Sequence, residues 1–237
     1  MKHKSNKIVN FMFMLAMSVL LLQMFTPTAQ AVTQVSTLDV LKSALSNGGD
    51  IQLTADIINN GNDPLTISKN TSLDLNGFGI LMTGNKEVIK IDKNITLTLS
   101  DSDPNTTHYI TLNEQGRGIS VSTTQTGNAI EVKGGYITGG IEPASHHGGG
   151  IIVYTQSTLK MRGGSIIGNT ANYGGGVYVA WRFEMSGGSI TGNTVISDDG
   201  HGGGVCFNNI GSLKISGSPN ITGNFNVGGV QQRITFI

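Results

Sequence analysis

The sequence predicts an all-β chain wound as a right-handed, single-stranded parallel β-helix behind a short N-terminal capping helix. Three observations point there: glycine-bounded segments that repeat, three short strands in each unit, and a glycine excess confined to the repeated part. Of 34 Gly among 237 residues, six precede residue 116 and 28 follow from Gly116 onward. Pro numbers five and no every-third-residue glycine pattern occurs, which excludes a collagen-like chain.

The first element, 1–31, reads as an export signal. Lys2, Lys4 and Lys7 open it, Ile8 to Leu22 is apolar apart from Asn10 and Ser18, and Ala29-Gln30-Ala31 is a small-x-small cleavage triplet. The apolar run is shorter than the ~20 residues that cross a bilayer, so the mature chain, 32–237, is expected to be secreted or at the cell surface. Cys206 is its only thiol and excludes an internal disulfide. With the signal removed, 12 basic face 15 acidic side chains. Such a chain lacks the basic footprint that a phosphate backbone requires, so no nucleic-acid partner is expected. Asn70, Asn94, Asn105 and Asn220 carry glycosylation patterns to which a short, Met-rich signal gives little weight.

Residues 32–50 form the expected cap. Ser36-Thr-Leu-Asp39 fits a capping box before the apolar period Leu38, Leu41, Ala44, Leu45, and Gly48-Gly49 ends the helix. Residues 51–237 are expected to be β-helix throughout. Leu65–Ile67, Leu73–Leu75, Ile80–Met82, Val88–Ile91, Ile95–Leu99, Tyr109–Leu112, Ile119–Val121 and Ala129–Val132 run apolar or alternate between turn residues. From Gly134 the repeat is explicit. Gly134-Gly-Tyr-Ile-Thr-Gly139 returns as Gly163-Gly-Ser-Ile-Ile-Gly-Asn-Thr170, as Gly187-Gly-Ser-Ile-Thr-Gly-Asn-Thr194 and as the degenerate Gly217–Asn224, at spacings of 29, 24 and 30 residues. Between these lie Gly148-Gly-Gly-Ile-Ile-Val153, Gly174-Gly-Gly-Val-Tyr-Val179, Gly202-Gly-Gly-Val-Cys-Phe207 and Gly228-Gly-Val230. Thr158–Met161, Arg182–Met185 and Ser212–Ile215 close the units. Three strands of three to five residues per unit, with no amphipathic helix, suit a parallel β-helix. At ~24 residues a coil, six or seven coils rise ~4.8 Å each. No polar segment covers the last coil, so truncation or end-to-end self-association through that coil is expected.

Gly-Gly-Ser-Ile-x-Gly-Asn-Thr alternating with Gly-Gly-Gly-Val-Tyr-Val resembles the right-handed β-helix repeats of bacterial secreted and cell-surface proteins. It is similar in style to the Gly-Gly-Ala-Ile repeats of polymorphic outer-membrane adhesins. The stretch Leu41–Leu53 resembles the N-terminal cap of pectate-lyase-like β-helices. The resemblance implies the fold over 36–237; that superfamily hosts lyases, hydrolases, adhesins and inert stalks alike.

Alignment on the glycine triplet puts His147, Tyr173 and His201 in one vertical row, with Asp198 and Asp199 in the turn before His201 and Glu142 and His146 in the equivalent turn. Imidazoles and a phenol on one ledge can grip a sugar, and with carboxylates can supply acid and base. The bland reading is a set of solvated turn residues. No metal site is expected, because flexible turns do not promise converging ligands. Trp181, in the shortest turn and beside Arg182, is a candidate for stacking on a pyranose. Asn169, Asn193 and Asn224 form a polar ladder, and Lys160, Glu184 and Lys214 a surface row; both read as structural. The function expected is a non-enzymatic, adhesin-like scaffold binding an extracellular polysaccharide or cell-surface molecule, without cofactor. The competing reading is a polysaccharide lyase or glycosidase using Asp198, Asp199 and His201, with Ca²⁺ only in the lyase case. Ice binding needs flat Thr-x-Thr rows, and only Thr96-Leu97-Thr98 supplies one.

Overall fold

The computed structural model describes residues 31–226, 228–231 and 234–236, without the side chains of 143–146 and 236. The expected export signal lies almost wholly outside the described residues.

Three parallel sheets form the walls of a solenoid, one strand from each sheet per coil. The first sheet stacks Thr33–Val35, Gly49–Leu53, Thr71–Asp74, Thr96–Ser100, Thr158–Met161, Arg182–Met185 and Ser212–Ile215. The second stacks Ile57–Asn59, Gly79–Met82, Tyr136–Thr138, Ser165–Ile167, Ser189–Thr191 and Asn220–Thr222. The third stacks Leu65–Ile67, Ile89–Ile91, Ile151–Val153, Val177–Val179, Val205–Phe207 and Ile234–Phe236. The fold expected from the sequence is therefore present, as a parallel β-helix with one helix at its N-terminal side.

Strand periodicity builds the core. In the first sheet Leu97, Leu159, Phe183 and Leu213 fall in register, as do Leu99, Met161, Met185 and Ile215. All but those of the last coil are essentially inaccessible to solvent. Each such side chain contributes ~1.5–3 kcal/mol through removal from water. The helix, Leu38–Asn47, turns Leu41, Ala44 and Leu45 into the same core. Its N-cap is Thr37, one residue later than the Ser36 capping box predicts: the Thr37 hydroxyl accepts from Val40 N–H at 3.4 Å. The cap segment also contains a strand, Thr33–Val35, that extends the first sheet beside Gly49–Leu53.

Two sequence expectations are corrected. Later coils contain a fourth strand: Ile141–His147, Thr170–Tyr173, Thr194–Val195 and Phe225–Asn226 pair in parallel between the second and third sheets. An Asn stands directly before the last three of these strands, and Gly140, before the first, donates its N–H to Asn169 Oδ1 at 2.9 Å. Asn169 Nδ2 donates to Asn193 Oδ1 at 3.0 Å, and Asn193 Nδ2 to Asn224 Oδ1 at 2.9 Å. All three Asn are buried, as the structural reading of that ladder expects.

The second correction concerns residues 101–135, which leave the solenoid instead of forming rungs. Thr107–Leu112 pairs antiparallel with both Gly118–Ser122 and Ile130–Lys133. Ile110, Val132, Tyr136 and Ile167 make a small separate core beneath this insertion. Alternating strands look alike in a rung and a hairpin; the tight turn at Asn113 to Arg117, closed by Gly116 N–H on Asn113 C=O at 2.9 Å, decides for the hairpin. Arg117 fastens the insertion to two adjacent coils through the carbonyls of Gly139, Met82 and Gly84.

Candidate ligand-binding flank

The row of His147, Tyr173 and His201 exists. Tyr173 is the register partner of His147 and bridges in parallel to His201. The local cause is one turn used three times. Gly148, Gly174 and Gly202 come directly after the three rings with φ of 63°, 65° and 66°, left-handed values that favour glycine. Gly148 N–H donates to Tyr173 C=O at 2.8 Å, and Gly174 N–H to His201 C=O at 3.0 Å.

The rings climb the solenoid as a ladder. His147 stacks on Tyr173 with centroids 5.7 Å apart, and Tyr173 lies 6.1 Å from His201. His147 also leans over Tyr178, at 4.1 Å between centroids. Tyr178 belongs to the outward row of the third sheet, between Ile152 and Cys206. Those two neighbours are buried although they point away from the core. The ladder therefore helps roof an outer apolar layer: His147 and Tyr173 are half-buried and His201 is exposed. Burial pushes the Cys206 thiol up to about 12, which leaves it inert as a nucleophile.

Asp198 and Asp199 stand exposed in the turn closed by Gly200 N–H on Ser197 C=O, and neither has a hydrogen-bond or ion-pair partner among the described residues. They are on the same excursion as His201 but nothing fixes them against it. The described residues contain no group of three or more His, Cys, Asp or Glu placed to hold a metal. Trp181 is 39 % exposed at the corner leading from the third sheet to the first, as its short turn predicts. Tyr154 occupies that corner one coil earlier and is also accessible. Lys90 Nζ sits 5.6 Å from the centre of the Tyr154 ring, and with Ser68, Asp92 and Lys93 these residues line a cavity of about 510 Å³. No sequence signal marks Tyr154, because its coil has a longer turn than Trp181's. Lys160, Glu184 and Lys214 align as expected, yet Glu184 finds its cation in Arg182, at 3.9 Å.

Sequence reasoning also missed a buried charge cluster. Lys86 Nζ meets Glu142 Oε2 at 2.9 Å, while Glu87 is 5 % exposed and its Oε2 has no partner. Burial and the hydrogen bond shared with Glu142 raise the Glu87 carboxyl to about 7. The two acids come from distant segments, joined where Ile141 N–H donates to Lys86 C=O. Of the equivalent-turn residues, Glu142 therefore serves the interior, and the His146 side chain is outside the described set.

Comparison with protein-family models, with curated proteins and with solved structures finds no match to this chain. Its function has to be argued from the surface it displays. Among the described residues, no helix is long and apolar enough to cross a membrane.

Proposed function

We propose that this chain is a secreted or surface-associated, non-enzymatic scaffold whose third-sheet flank binds glycans. The single observation that carries the reading is the in-register ladder of His147, Tyr173 and His201. The ladder sets an imidazole, a phenol and a second, exposed imidazole at steps of one coil. That rise, ~4.8 Å, is close to the length of one pyranose unit, and a sugar chain laid along the axis meets one polar tip per residue. Tyr154 and Trp181, on the next corner, add ring faces of the kind that stack on sugars. Export of the chain, read from residues 1–31, brings this flank to where extracellular polysaccharides and cell-surface molecules are encountered.

A glycan array tests the reading. The wild-type chain binds a set of oligosaccharides, and Tyr173→Ala with His201→Ala loses them while its melting temperature shows a folded protein. An array with no bound glycan overturns it.

A further inference from the structure

A second concavity, of about 420 Å³, lies at the corner where coils pass from the first sheet to the second. Its origin is the insertion. The chain departs after Ser100 and returns through Lys133, so Asp101, Pro104 and Lys133 wall one side. Gly163, Gly164 and Gly188 carry no side chains and leave the floor open, where Arg162, Ser165 and Ser189 line the space.

The polar groups here are unbalanced. The one acid, Asp101, already accepts Gly77 N–H and Gly135 N–H, each at 2.8 Å, one on each carboxylate oxygen. Ser165 Oγ and Ser189 Oγ lie 2.9 Å apart. One hydroxyl donates to the other, which leaves one O–H to give. The side chains of Lys133 and Arg162, both exposed, have no hydrogen-bond or ion-pair partner among the described residues. Two cations and a hydroxyl therefore line a cavity with one carboxylate, which holds two backbone N–H groups.

We propose that this cavity binds the sulfate or phosphate ester of a saccharide. A tetrahedral ester presents three free oxygens, one each for the Arg162 guanidinium, the Lys133 ammonium and the serine pair. A carboxylate confines its acceptors to two oxygens in one plane, where an ester gives each of the three donor groups an oxygen of its own. The volume exceeds that of a bare ion and falls in the range of small-molecule pockets, so the ester has room for its sugar. This site is separate from the His147–Tyr173–His201 ladder and does not depend on it.

Calorimetric titration of the purified protein with glucose 6-sulfate, glucose 6-phosphate, glucuronate and glucose tests the proposal. One or both esters bind, and the arm that binds identifies the ester. Arg162→Ala with Lys133→Ala weakens binding about tenfold or more. Lys42→Ala, which removes one positive charge from the exposed helix face, and Tyr173→Ala with His201→Ala leave it intact. Thermal unfolding of each variant confirms that it is folded, and Arg162→Lys serves in place of Arg162→Ala should the latter fail to fold. Glucuronate binding as tight as either ester, ester binding unchanged in the double variant, or no ester binding at millimolar concentration overturns the proposal.

Discussion

Asn193 has every polar atom of its side chain engaged inside the wall. Its Nδ2 donates to Ile166 C=O, Thr191 C=O and Asn224 Oδ1, and its Oδ1 accepts both the backbone N–H and Nδ2 of Asn169. Asn193→Ala leaves several buried groups unpaired, each costing ~1–3 kcal/mol. The expected loss, about 3–5 kcal/mol, is read from the denaturant midpoint. Glu87 makes a pH-dependent contribution. Its folded value, about 7, lies above the 4.5 of an unperturbed carboxyl, so the folded chain holds the proton more tightly than the unfolded one. That stabilisation is complete below about pH 4.5 and is lost as pH rises through about 7, on the order of 3 kcal/mol in all. The proton belongs to the Glu87–Glu142 pair beside Lys86, whose ammonium the hydrogen bond to Glu142 favours. Equilibrium unfolding from pH 5 to pH 8 shows the decline in the wild type, and Glu87→Gln removes this component of it. A wild-type profile without the decline refutes the assignment.

At the scale of elements, the glycine triplets set how closely coils approach. A Cβ on Gly176 would stand 2.6 Å from Gly204 O and 2.9 Å from Ile190 Cγ2, with backbone on one side and a packed side chain on the other. Gly176→Ala is therefore expected to lower the melting temperature by several degrees. Gly127→Ala, where no atom lies within 4 Å, carries only the cost of a positive φ, ~1 kcal/mol. The triplets, the Asn corners and the ring row were all legible, because each recurs at a fixed place in three or more units. The fourth strand and the insertion were not. Tyr109–Leu112 and Ile119–Val121 carry the same alternation as a rung, and alternation reports which faces are buried, not which neighbour supplies the hydrogen bonds. The Glu87–Glu142 pair was hidden for a related reason: single acids in two turns say nothing of being brought together.

Across the whole molecule one core runs from the helix to the last coil, and each coil rests on its neighbours. Phe183, fully buried between Leu159 and Leu213, is a central tie. Phe183→Ala is expected to cost about 3–5 kcal/mol, measured by urea unfolding. Protection from hydrogen exchange should track burial: amides of Arg182–Met185 exchange more slowly than those of Ser212–Ile215, where Ile215 is 47 % exposed. Equal rates would show that the last coil is as firmly held as the one before it. By itself the sequence determined the solenoid, its strand directions and the vertical row of His147, Tyr173 and His201, because a repeat superimposes like positions whenever its units stack. Only the tertiary structure decided which side chains from unlike segments meet. It put Glu87 against Glu142, and it brought the insertion's Lys133 to the same open cavity as Arg162. Those contacts join residues tens of positions apart with no common period, and no repeat encodes them.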